Sequence, residues 1–141
     1  EVYYETLCPD TRLFIRSQLY PAWDELEHIM DIHWKPYGKA TVSFVNKNSV
    51  FYINLLKIDD FKNENYEMIV EQKCFQLQHY ENEGLGYMFQ CQHGPTECMG
   101  NKVHACSIKH IKDDRKLTDY IHCMIEDNYD PKEVGQSVRS P

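Results

Sequence analysis

Apolar residues between Pro9 and Met30 recur at steps close to three and four. Ile15, Leu19, Ala22, Trp23, Leu26 and Met30 share one face. That period predicts an amphipathic helix opening at Pro9, which suits a first helical position because it has no N–H to leave unpaired. Pro21 lies inside the pattern and predicts a kink or break near Tyr20. Upstream, residues 2–5 read as a strand. Downstream, Ile32 and Trp34 alternate with Asp31, His33 and Lys35, as in a half-buried strand, before Pro36 and Gly38 end it. Strand, helix and strand in that order open a βαβ unit, whose crossover is nearly always right-handed.

The second half carries a short strand at residues 87–90, a helix over about residues 97–111, and a helix from Asp113 to Asp127. In the last of these, Leu117, Tyr120, Ile121, Met124 and Ile125 form the apolar stripe, and acidic residues at its start suit the helix dipole. From Asp130 to Pro141 the chain is polar and reads as a frayed tail. Residues 42–76 differ from both halves. They are rich in Asn, Lys, Ile, Phe, Tyr and Glu and contain no Gly, Pro, Ala, His, Arg or Trp. No sustained period emerges there, although Val50 to Ile58 fits a strand or a helical turn.

Length and charge narrow the function classes. The chain has 141 residues, which fits one domain with a real core. Its net charge is −7 and its lysines and arginines do not cluster, which argues against nucleic acid as a partner. No run of apolar residues is long enough for a membrane span. Glu1-Val2-Tyr3-Tyr4 reads as the middle of a strand, so a segment upstream is expected to have been removed, and no signal peptide is in view. Six cysteines, at positions 8, 74, 91, 98, 106 and 123, suggest an oxidising compartment, a metal site or thiol chemistry.

Cys8 stands between the first strand and the first helix. A thiol there faces the positive end of a helix dipole, which favours the thiolate, the nucleophilic form. The neighbouring carboxylate of Asp10 works against it. The pattern is Cys-x-x-Thr, with Thr11 where a Cys-x-x-Cys pair has its second sulfur. A second group lies in the block from Cys91 to Cys106. Cys91, His93, Cys98 and Cys106 form a candidate zinc set, but the block lacks the second close pair that zinc sites repeat. Disulfides are the structural alternative. A loop from Cys91 to Cys98 is feasible, while spacing alone leaves connectivity open. His93 with Gly94 and Pro95 reads as a turn, or as a proton shuttle beside a thiol. No Ser-His-Asp set, phosphate-cradling loop or glycosidase carboxylate pair is recognisable, and the acidic residues mostly read as solvated faces.

The block Cys91-Gln92-His93-Gly94-x-x-Glu97-Cys98-x-x-Asn101-x4-Cys106 resembles the signature of the gamma-interferon-inducible lysosomal thiol reductase (GILT) family at every fixed position. The opening Val-Tyr-Tyr-Glu-x-Leu-Cys-Pro-Asp and the stretch Pro36-Tyr37-Gly38-Lys39-Ala40 are similar to that family as well, insect-type members above all. The resemblance covers residues 1–41 and about 77–135. It implies an α/β, thioredoxin-like fold with a helical insertion in a single domain over residues 1–141, secretion or delivery to lysosomes, and reduction of protein disulfides at acid pH. It implies that Cys8 is the attacking cysteine and that Cys91, Cys98, Cys106 and Cys123 are mainly structural. No cofactor is expected beyond an external thiol reductant. The partners implied are disulfide-containing proteins and that small thiol, with no nucleic acid and no membrane.

Three departures from the family pattern shape the expectation. Thr11 occupies the resolving position. A hydroxyl cannot release a mixed disulfide, so a single-thiol mechanism through Cys8 is implied, with Thr11 donating a hydrogen bond to the thiolate. Residues 42–76 have no counterpart in the family pattern and are read as a translated retained intron, with a surface loop as the alternative. Cys74 then has no designed role. The family also continues past Gly135 to further strands and a proline-bearing loop opposite the active cysteine, so a C-terminal truncation and marginal stability are expected. The rival function on the same scaffold is a catalytically weak or inactive secreted binding module.

Overall fold

The computed structural model describes residues 1–46, 49–51 and 86–126. Strand β1 (Val2–Tyr4) leads into helix α1 (Pro9–Phe14), a π-helical stretch (Ile15–Leu19) and helix α2 (Tyr20–Leu26), and strand β2 (Trp34–Pro36) returns beside β1. The two strands pair in parallel, with Val2 opposite Trp34 and Tyr4 opposite Pro36. This is the expected strand–helix–strand unit, and the chain is of mixed α/β type. Pro36 is the last residue of β2 rather than the first beyond it.

The break expected near Tyr20 takes a specific form. Pro21 has no N–H for the carbonyl of Ser17, and its ring crowds that group. The helix widens just before it, so that the Tyr20 N–H reaches back five residues to the Ile15 carbonyl. Ile15 and Trp23 are buried, and Leu19, Ala22 and Met30 are half-buried, as the stripe requires. Leu26 is the exception and lies exposed.

A second sheet places β3 (Thr41–Asn46) between β4 (Ser49–Phe51) and β5 (Gly86–Gln90), antiparallel to both. Thr41 lies opposite Gln90 and Phe44 opposite Phe51. The residues that open the atypical segment therefore join the strand that leads into Cys91. The remainder of that segment, Cys74 included, and the tail at 130–141 lie outside the described residues.

Helices α3 (Pro95–His110) and α4 (Asp114–Glu126) complete the described chain, within a residue or two of their expected limits. On α4, Leu117, Ile121 and Ile125 are buried together with Tyr4, Ile15 and Trp34. Each such aliphatic side chain contributes roughly 1.5–3 kcal/mol by leaving water. Tyr120 is only half-buried, and Thr118 is buried in its place. Polar contacts then fix α4 against the first helical run. Arg115 reaches Asp24 at 2.8 Å and Glu27 at 3.0 Å, and Arg12 donates to the Glu126 carbonyl at 2.6 Å.

Helix α3 is different in kind. Its buried residues are Glu97, Gly100, Asn101, His104, Ala105 and Ser107, so the face turned inward is largely polar. Such a face is stable only if its hydrogen bonds are made. His104, about 1% exposed, meets the Tyr4 hydroxyl at 2.8 Å through Nδ1. Burial pushes its pKa down from 6.5 to about 3, so the ring is neutral and fits as an acceptor for the Tyr4 proton.

That shift fixes a sign. The unfolded chain takes up a proton on His104 near pH 6.5 and the folded chain does not, so this contribution is fully present above that pH and is lost as pH falls toward 3. Between pH 7 and pH 5 the loss is about 2 kcal/mol. Urea unfolding of His104→Gln, which keeps an acceptor for Tyr4, should show an acid slope flatter by that amount. Parallel slopes for the two proteins would contradict it.

Candidate active site

Cys8 is the N-cap of α1, with extended backbone angles of φ −67° and ψ 123°. Its N–H donates to the Glu5 carbonyl at 3.3 Å, closing the turn after β1, and its own carbonyl accepts the Arg12 N–H at 3.0 Å. The thiol is free and half-buried, and its side chain makes no capping bond. Pro9 occupies the first helical position and Asp10 the first turn. Thr11 is half-buried one turn into the helix.

Cys91 and Cys98 form a disulfide with a Cα–Cα distance of 5.5 Å. It joins the residue after β5 to the first turn of α3. Two of the four candidate zinc ligands are thereby oxidised, and the zinc reading does not survive. Cys106 stands half-buried on α3 and Cys123 exposed on α4, outside that disulfide. His93 and Gly94 shape the expected turn. Gly94 takes φ +87°, a region open to glycine, and its N–H closes onto the Cys91 carbonyl at 3.2 Å.

The acidic residues beside this turn are not a solvated face. Glu97 is fully buried and Glu5 is about 5% exposed. Glu97 Oε1 accepts the His93 main-chain N–H at 3.1 Å, and Oε2 meets His93 Nδ1 at 2.6 Å. Glu5 Oε1 accepts the Lys39 N–H at 2.6 Å, and its Oε2 lies 3.9 Å from the same His93 nitrogen. Glu5, His93 and Glu97 bring one ligand atom each within 4.8 Å of one another, the spacing a metal ion needs. His93 and Glu97 are hydrogen-bonded to each other at 2.6 Å, and Glu5 stands at ion-pair distance from the same ring nitrogen while holding the Lys39 N–H, so the three form one polar knot.

The knot sits against the turn that carries Cys8. The Thr6 N–H donates to Asn101 Oδ1 at 3.1 Å, and Thr6 Oγ1 donates to the Glu97 carbonyl at 3.2 Å. Asn101 also directs its amide at Cys91 Sγ, a weak contact at 4.0 Å. Most fixed positions of the 91–106 block therefore have a visible task. They close the disulfide loop and hold the Glu5–Thr6 turn. Hydrophobic periodicity does not single out Glu5 and Thr6, because the partners of Thr6 lie more than ninety residues away and those of the Glu5 side chain lie on two separate segments, at Lys39 and His93.

Gly38 completes the packing around Glu5. It has φ +55°, and a Cβ there would overlap the Glu5 side chain, whereas a Cβ on Gly94 would meet nothing within 4 Å. Both substitutions to alanine bear the strain of a positive φ, and only one bears the overlap. Gly38→Ala is expected to destabilise the chain by about 1–2 kcal/mol more than Gly94→Ala, measured as urea midpoints. Equal losses would show that Glu5 is not held where the structure has it.

Comparison with known proteins places this geometry. The family model for gamma interferon inducible lysosomal thiol reductase (GILT) matches residues 1–54 and 49–138. The gamma-interferon-inducible lysosomal thiol reductase-like protein of Anopheles gambiae is 34% identical over 134 residues, covering 88% of this chain and 39% of that protein. GILT-like protein 1 of Drosophila melanogaster is 30% identical over 135 residues, covering 89% of this chain and 39% of its own length. The gamma-interferon-inducible lysosomal thiol reductase of Carassius auratus is 31% identical over 123 residues, with 87% and 33% covered. The chain thus spans well under half the length of these relatives. With its strand–Cys-Pro–helix opening and a signature block folded around one disulfide, the chain belongs to the GILT family.

Proposed function

We propose that this chain is the part of a thiol–disulfide oxidoreductase that carries the attacking cysteine, and that it reduces protein disulfides through Cys8. The observation that carries the reading is the position of Cys8: a free thiol at the strand-to-helix junction of a parallel βαβ unit, capping a helical run that extends from Pro9 to Leu26. Such a junction sets the sulfur beside the unpaired main-chain N–H groups of a helix start. A cysteine there is also the placement expected of a thioredoxin-like fold, which we take this domain to adopt. The family name and the names of two of the relatives contain the word lysosomal, which supports a lysosomal setting for this chain, with secretion as the alternative route. Among the described residues no helix is long and apolar enough to cross a membrane.

Thr11 at the third position after Cys8 sets the chemistry. The Cys8 thiolate attacks one sulfur of a substrate disulfide, forms a mixed disulfide and expels the other substrate sulfur as a thiolate, which takes a proton from water. With no second cysteine at position 11, a small external thiolate attacks Cys8 Sγ and releases the remaining substrate thiol. A second external thiol then displaces Cys8, leaving an oxidised thiol pair and the starting enzyme. The balance is one substrate disulfide reduced for two small thiols oxidised. In this reading Thr11 steadies the ionised sulfur by donating a hydrogen bond to it, the proton staying on the hydroxyl oxygen.

Thr11 also favours a second reading. A chain that forms the mixed disulfide and turns over slowly is a capture module for partner thiols and disulfides rather than an efficient catalyst. The two differ in the fate of the mixed disulfide, and external thiol concentration separates them.

Cys8→Ser is expected to abolish reduction of a protein disulfide at acid pH with a small thiol present, by at least about a hundredfold. A rate equal to that of the unaltered chain would overturn the reductase reading. Thr11→Cys supplies an internal resolving sulfur. Its rate should become nearly independent of external thiol at concentrations where the unaltered chain still responds in proportion, and an unchanged dependence would contradict the single-thiol scheme.

A further inference from the structure

We propose that Thr6, Glu97 and Asn101 are positioning residues for Cys8, and that the signature block acts on the reaction by holding the turn from Glu5 to Cys8. The proposal rests on the reading of Cys8 as a reactive thiol. It adds a role for residues that touch neither the sulfur nor any substrate.

The turn is gripped from one side by α3. Thr6 is about 2% exposed and uses both its main-chain N–H and its hydroxyl on that helix, the first on Asn101 and the second on the Glu97 carbonyl. Asn101 and Glu97 are themselves about 1% and 0% exposed. Glu97 is locked in turn, since its two carboxylate oxygens take the main-chain N–H and the ring of His93. On the other side, Glu5 is fixed by the Lys39 N–H and lies against Gly38. The carbonyl of that same Glu5 accepts the Cys8 N–H. Hydrogen bonds from His93 to Glu97 and from Glu97 to Thr6, the peptide link from Thr6 to Glu5, and the Glu5–Cys8 bond therefore connect the disulfide-closed loop to the main chain of Cys8.

Burying a carboxylate and an amide here is a poor way to gain stability. An apolar contact of equal volume stabilises as well or better without the desolvation cost. What directional bonds supply is a single geometry for the backbone they hold, and thiol–disulfide exchange needs that because the attacking sulfur must approach in line with the bond it breaks.

The test is the reaction of Cys8 with a dipyridyl disulfide, followed by mass spectrometry of the Cys8 peptide, in the full chain and at a temperature where every variant is fully folded by circular dichroism. Thr6→Val keeps shape and removes one hydrogen bond. It should slow Cys8 by about fivefold, the effect of one such bond. Thr6→Ser keeps the hydroxyl and should stay within about twofold of the unaltered chain. Asn101→Leu, which strands the Thr6 N–H, should cost about tenfold or more. If Thr6→Val reacts at the unaltered rate, or if Thr6→Ser slows as much as Thr6→Val, the positioning role is wrong and these residues serve stability alone. The reductase reading fails separately, on Cys8→Ser retaining full activity with a protein disulfide.

Discussion

The structure depends on one constraint: the inner face of α3 is polar, and every polar group on it must find a partner. Glu97, Asn101, His104 and Ser107 are buried on that face. Their partners are fixed in space. Tyr4 meets His104, Thr6 meets Asn101 and the Glu97 carbonyl, His93 meets Glu97, and Ser107 turns back to the His104 carbonyl at 2.7 Å. An apolar helix face can slide and rotate with little loss. This one cannot, because a shift that breaks one bond strands a buried group at a cost of about 1–3 kcal/mol. The helix is thereby keyed to the end of β1 and to the turn before Cys8.

The other parts of the molecule serve that key. The Cys91–Cys98 disulfide closes the loop that presents His93 to Glu97. Gly38 gives Glu5 the room to lie between β2 and the His93 turn. Helix α4 supplies the apolar core that α3 lacks, through Leu117, Ile121 and Ile125. Labour is thus divided between the last two helices: α4 contributes most of the apolar burial, and α3 contributes alignment.

The parts legible in the sequence are those with local signals. The βαβ opening is readable because alternation, a 3.6-residue period and Pro9 each act within a few residues. The limits of α3 and α4 are readable for similar reasons. Pro21 announces an interruption but not its form, which is a widening over Ile15–Leu19 rather than a break. Leu26 sits on the predicted stripe and is nonetheless exposed, as the last residue of α2. The inner face of α3 escapes a sequence reading for a physical reason. Hydrophobic periodicity registers apolar burial only, and a buried Glu or Asn looks like a surface residue until its partner is known. Glu5 and Thr6 escape it likewise. The resemblance of the 91–106 block to a family signature marks its residues as belonging together, without showing that their common target is the turn at Cys8.

Whether α3 holds that turn rigidly is the central question, and hydrogen exchange at the Thr6 amide reads it directly. A buried N–H bonded to Asn101 should exchange only through global unfolding, with a free energy that tracks that of the most protected amides in α4 as denaturant is added. Exchange of Thr6 at the rate of an open loop, while α4 stays protected, would contradict it.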